Sequence, residues 1–360
     1  MKLFKSLSLL TVGLGAVGLI TAQGCGGSDD GGSSSGGAAA AGRQVPAAPS
    51  GAAPATLGAS KTFAVNQLFL GETGRDGKPL KDAWKDYGYN IDGLITAKTD
   101  TNVCQRQGGA DSAKQEDGKE GIDNAFGRTV LGFILGLVPT PSKTLNDSIN
   151  GGSFTILFDV KGLTEDPAQT NTGLDGRLLV GGSVPTGTKV DFASGSFDWP
   201  YRANPIVPIQ GAYINNGVFV NGAGGAKVEL SLFIQGVQLS LVINRAAITF
   251  KHVPPNDIAD GTISGVINTE ELVTGIEKVA GRISTQLCGG STLDTIKQTI
   301  RQASDIRDDG SNAAGVACNA ISIGLGFTGK KIGAPKTVAV DGPIPPDPCA
   351  AGDGGADGGQ

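Results

Sequence analysis

Histidine is almost missing from this chain. His252 is the only one among 360 residues, so a Ser-His-Asp or Cys-His arrangement would have to be built around that single imidazole. It stands beside Lys251 and before Pro254 and Pro255, and reads as a solvated loop residue at a strand end. No HExxH, Gly-x-Ser-x-Gly, P-loop or dinucleotide fingerprint occurs. No two cysteines stand at Cys-x-x-Cys spacing, which leaves a zinc site without its usual ligands. Positive charge is not in excess either. The 29 Lys and Arg are outnumbered by 34 Asp and Glu, for a net charge of -5, and no basic strip interleaved with aromatics is there to follow a phosphate backbone, so nucleic acid is a poor partner.

Long apolar runs are also scarce. The longest lies at the N-terminus, where Lys2 and Lys5 precede an uncharged stretch from Leu7 to Ile20. It is shorter than the roughly 20 residues of a membrane-spanning helix, and a glycine-serine stretch follows it where a stop-transfer segment would carry positive charge. Residues 1–24 therefore read as a signal peptide. Ala22-Gln23-Gly24-Cys25 resembles the lipobox of bacterial lipoproteins, which implies a diacylglycerol on the Cys25 thiol and an anchor in a membrane. Ala22-Gln23-Gly24 also fits the small-x-small pattern of ordinary signal peptidase, and both readings cut before Cys25.

Setting Cys25 aside leaves Cys104, Cys288, Cys318 and Cys349, an even number that suits two disulfides in an oxidising compartment. Four cysteines allow three connectivities. The expected pairing is Cys288 with Cys318, bracketing one helix and a turn, and Cys104 with the C-terminal Cys349.

Between Gly26 and Ser60, 28 of 35 residues are Gly, Ser, Ala or Pro, too little apolar surface to support a fold. Residues 25–60 thus read as a lipidated cysteine on a disordered tether, with a root-mean-square span of about 33 Å. A second tail, 343–360, reads as disordered after Cys349. Residues 61–342 remain for a single domain. Its makeup is turn-rich and aromatic-poor, with 58 glycines in the whole chain and only 5% aromatic residues. That favours a mainly β fold, an antiparallel sandwich or barrel, over a helical bundle.

Periodicity supports this. Ser153–Val160 alternates, with Phe154, Ile156 and Phe158 on one face. Further strands are expected at 177–180, 189–192, 212–220, 226–234, 237–250 and 261–267, separated by glycine, proline and asparagine turns, with 321–327 as a closing strand. A helical hairpin is expected within 269–306: Leu272, Ile276, Val279 and Ile283 fall at helical spacing, Glu270 and Glu271 suit the positive end of the dipole, and Gly289-Gly290 makes the turn. Residues 121–138 are a further candidate helix.

Three stretches, Ala83–Gly93, Gly121–Gly127 and Cys318–Phe327, resemble a family of uncharacterised myxobacterial envelope lipoproteins. The resemblance implies an envelope location and brings no catalytic residues with it.

Two groups of side chains are candidates for binding. Glu116, Asp117, Glu120, Asp123 and Asn124 crowd a glycine-punctuated loop, with Asp92 and Asp100 as potential neighbours. Hard oxygen donors of this kind suit Ca2+, although EF-hand spacing is not met, and the plainer reading is a solvated loop leading into a helix. Trp84, Tyr87, Tyr89, Trp199 and Tyr201 would be the contact residues of a surface that takes a glycan or another envelope protein, unless they belong to the core. The function expected is a lipid-anchored, non-catalytic binding or structural module in the cell envelope or outer membrane. The alternative is an extracellular hydrolase of polysaccharide or peptide that works through paired carboxylates.

Overall fold

Alternating apolar residues place one face of nearly every strand in a shared interior. The computed structural model describes residues 42–51, 56–107, 116–222, 226–234, 237–340 and 346–349. The leader, Cys25 and much of the tether lie outside these residues. The strands are β1 (Ser60–Phe69), β2 (Thr155–Lys161), β3 (Asn171–Gly181), β4 (Tyr201–Asn215), β5 (Val218–Val220), β6 (Ala226–Ile234), β7 (Val237–Val253), β8 (Asp257–Asn268) and β9 (Ala320–Ile332). Every ladder between neighbouring strands is antiparallel. The order β5-β4-β3-β2-β1-β9-β8-β7-β6, with β5 also paired to β7, closes eight strands into a barrel and leaves β6 hanging on β7. The sandwich-or-barrel expectation thus resolves to a barrel.

Two bulges keep the apolar side chains pointing inward. In β1 the register shifts between Val65 and Gln67, so the inward set passes from Phe63 and Val65 to Leu68 and Leu70. In β7 the shift between Asn244 and Ala247 includes Arg245 at φ 52°, and the inward set passes from Leu239, Leu241 and Ile243 to Ala246, Ile248, Phe250 and His252. One extra residue reverses the phase of all that follow. The lumen is solid. Phe250 lies 4.5 Å from Phe219, 5.7 Å from Phe158 and 6.4 Å from Phe63 between ring centroids, and Phe158 stacks on Phe327 at 5.3 Å. Each buried phenyl contributes about 1.5–3 kcal/mol.

Helices close one end. A π-turn at Phe126–Val130 runs into α1 (Leu131–Leu137), followed by α2 (Pro141–Asn150), α3 (Thr269–Ile283) and α4 (Gly290–Gln302). Asn268 caps α3 by accepting from the amides of Glu270 and Glu271. Leu272, Val273, Val279, Ile296 and Ile300 join the interior cluster. Arg301 binds Glu270 with two hydrogen bonds, and Lys297 pairs with Glu277, locking the two arms of the hairpin.

The outside of the wall is covered in places. The loop 182–200 folds Trp199 over Ala64, Leu157, Leu179 and Ile332. Residues 189–192, expected as a strand, belong to this irregular cover, where Phe192 stacks on Trp199. The expected tether is shorter than its composition suggests. Arg43 exchanges backbone bonds with Glu120 and Asn90, and the carbonyls of Pro46, Ala47 and Gly51 accept from Tyr213, Asn215 and Thr172. Small residues bury little, but their carbonyls still serve as acceptors.

Two disulfides form, with a pairing other than the expected one: Cys104 joins Cys318, and Cys288 joins Cys349. Cys288 precedes α4 and Cys318 lies beside the segment that follows it, where the Asn319 amide donates to the Ile306 carbonyl, so a helix of 13 residues, about 20 Å long at 1.5 Å per residue, runs between the two. Backbone bonds of Gln105 to Val316 and Cys318 bring Cys104 alongside Cys318. Gly281 leaves room for the other bridge, since a Cβ there would overlap the Cys349 sulfur.

Candidate functional site

Four aspartates gather where three chain segments meet beside the start of β9. β1 ends its pairing with β9 at Phe69 opposite Gly326, so residues 322–324 have a free backbone edge that side chains complete. Asn124 donates to the Gly324 carbonyl and accepts from its amide, at 3.0 and 3.1 Å. Asp305 accepts from the Ser322 amide at 2.9 Å and from its hydroxyl at 2.6 Å. Asp123 accepts from the amides of Ile91 and Asp92 at 2.6 and 3.3 Å. Asp92 accepts from the Leu94 amide and from Asn312, and Asp117 accepts from the Thr96 amide. The knot ties 90–96, 117–125 and 305–322 together.

Its charges are out of balance. Burial raises Asp123 well above the usual carboxylate value, with Asp92, Asp117 and Asp305 adding repulsion. Asp117 is pushed up to about 7 by desolvation, against the Thr96 amide, which favours the anion. Asp305 is raised to about 6 by burial, with Arg128 opposing. Arg128 donates to the Glu116 carbonyl, while its Nε and Nη2 are buried without a partner. Such a group takes up protons near neutral pH, the property expected of an acid catalyst, and also of buried carboxylates whose task is structural.

The residues proposed for Ca2+ are only partly brought together: Asp117 and Asp123 share the cluster of aspartates, the others do not. Glu116 pairs with Lys98, Glu120 is exposed on a residue at φ 54°, and Asp117, Asp123 and Asn124 are spent on separate backbone groups. Among the described residues no three His, Cys, Asp or Glu side chains converge as a metal site. Spacing suggested a shared loop, but the segment turns its side chains in different directions. Asp305, which adds repulsion at Asp123, and Arg128, which opposes the shifts of Asp305 and Asp117, have no local motif to mark them in the sequence.

The aromatic candidates are mostly core. Trp84, Tyr87, Tyr89 and Trp199 are buried, and Tyr201 is half-buried against the Trp199 cluster. Tyr87 donates to the Thr73 carbonyl and lies under Arg75, Tyr89 shares a 2.7 Å hydrogen bond with Thr249, and Trp199 donates to the Gly182 carbonyl. Glycines at 324 and 326 on the outer face of β9 make the place for Tyr87, since a Cβ at either would collide with it. His252 also departs from expectation. It is 1% exposed, meets Phe63 edge-on at 5.8 Å, and neither ring nitrogen has a partner. Burial, reinforced by Lys61, lowers it to about 4.

Two concave features lie away from the knot. One cavity opens between β4 and β6, and a broader groove runs between α3 and β7, lined by Ser240, Val242, Glu270, Glu271 and Lys278. Neither includes an aspartate of the knot. Among the described residues no helix is long and apolar enough to cross a membrane. No protein family, curated protein or solved structure matches the chain.

Proposed function

We propose that the chain is exported and held at the cell envelope by lipid on Cys25, where its barrel serves as a non-catalytic binding or structural module. The observation that carries this reading is the pair of disulfides, which uses all four cysteines that remain once Cys25 is set aside. Such bridges persist in oxidising compartments. The signal-peptide pattern, the lipobox resemblance and the likeness to myxobacterial envelope lipoproteins agree with it. The non-catalytic part rests on how the perturbed carboxylates are used: their oxygens hold the protein's own backbone together, and the clefts are lined by other residues. A hydrolase would require one of those acids to face a substrate-sized hollow.

The test is chemical. Protein extracted from membranes should begin at an acylated Cys25 by intact mass, and Cys25→Ser should move to the soluble fraction. One acyl chain holds only marginally and two or three hold durably. Retention of unlipidated Cys25→Ser in the membrane overturns the anchor.

A further inference from the structure

The barrel wall has one seam. Among the described residues β4 is bonded to β3 along its length but meets β5 only at Tyr213–Asn215, and β6 is bonded only to β7. Among the described residues no ladder joins β4 to β6. Their inward side chains nevertheless belong to the common interior, with Val207 and Ile209 on one side and Val228 on the other. Between them opens a cavity of about 220 Å³ whose apolar walls are Leu178, Val207, Ile209, Val228 and Ile248. The buried polar side chain among its walls is Asn221, which accepts from the Ile248 amide at 2.9 Å and donates to the Ala246 carbonyl at 3.1 Å. Its amide is occupied in replacing a missing piece of ladder. Among the described residues no ionisable side chain lines the cavity.

We propose that this seam is a binding site for an uncharged alkyl segment of about six to eight carbons, entering between β4 and β6. The size argument is direct: a cavity of about 150 Å³ is enough to hold benzene, and this one is larger, with Gln210, Asn221 and backbone polar atoms sharing its lining with the aliphatic side chains. The chemistry follows from the walls, which offer dispersion contacts and little to bind a charge, so a polar head would remain at the mouth beside the exposed Gln210. Fatty acids and lipid acyl chains share this chemistry. The site does not depend on the anchor at Cys25.

The experiment uses full-length Cys25→Ser protein without detergent, because detergent tails would compete. Octanoate, and separately dioctanoylphosphatidylglycerol below its micelle concentration, are titrated by calorimetry. The expected result is saturable one-to-one binding of at least one probe. Binding of octanoate alone assigns free acids as the source, and binding of the phospholipid as well admits lipid chains. Val228→Trp fills the cavity, and Val207→Trp blocks it from a half-buried position less risky to the fold. Each variant that retains the wild-type circular dichroism should weaken binding at least tenfold. Absence of saturable binding by either probe, or unchanged affinity in a folded Val207→Trp variant, overturns the proposal.

Discussion

His252 carries two ring nitrogens into a space shared with Phe63 and Phe250, and neither nitrogen finds a hydrogen-bond partner there. An orphaned buried polar group costs about 1–3 kcal/mol, and an apolar group of similar shape removes that cost. His252→Phe should therefore stabilise the barrel by about 1–2 kcal/mol in urea melts at pH 7. The variant should also change the response to acid. An unfolded chain takes up a proton on this residue below its ordinary 6.5, whereas the folded chain refuses it until about pH 4. Wild-type stability is lost across that window as pH falls, by about 3 kcal/mol in all, and His252→Phe should abolish this component. Asp305 works in the opposite direction. Its folded value near 6 exceeds the ordinary 3.8, so the stability it contributes is complete below 3.8 and is lost as pH rises through 6, again by about 3 kcal/mol. Asp305→Asn keeps an acceptor for the Ser322 amide and should remove that loss. Melts from pH 4 to 8 should show the two variants tilting the stability profile in opposite directions; parallel profiles for both would refute the assignments.

At the scale of elements, glycines divide into those that are needed and those that are not. Gly326→Ala should destabilise by about 1–3 kcal/mol, because its Cβ would overlap the Tyr87 ring that stacks on Phe69 and lies under Arg75. Gly136, in α1, faces open space, and Gly136→Ala should stabilise by about 0.5–1 kcal/mol through helix propensity. Thermal melts of the two variants should move in opposite directions. The same local rules explain which elements were legible beforehand. β2, β6, β8 and the α3–α4 hairpin keep a steady apolar period and carry their own turn or cap signals. β1 is not legible in the sequence because its bulge breaks the alternation between Val65 and Leu68. The first half of β4 is hidden because Pro205 and Pro208 read as loop, whereas at an open seam a strand tolerates the missing donors. Three of the four knot aspartates are legible, Asp117 and Asp123 by crowding and Asp92 as their neighbour, but Asp305 reaches them only through the fold.

At the scale of the whole molecule, disulfide pairing depends on which distant segments meet, so cysteine spacing could not decide it. Non-reducing peptide mapping should recover Cys104 with Cys318 and Cys288 with Cys349; any other pairing in folded protein contradicts the structure. The two bridges close loops with separations of 214 and 61 residues. On chain-entropy grounds, removing the first pair by Cys104→Ala with Cys318→Ala should cost about 1 kcal/mol more than removing the second.

Barrel closure also imposes an order in time. β1 is held between β2 and β9, with Thr62 opposite Ile332. On the proposed export, a chain delivered across a membrane from its N-terminus presents β1 first and must wait for nearly all the rest before that strand gains its second neighbour. Cys104 waits as well, and the first cysteine to arrive after it is Cys288, the wrong partner. An early Cys104–Cys288 bridge is the natural error of such delivery, and exchange of that bond for the final pair would set the pace at which the protein matures.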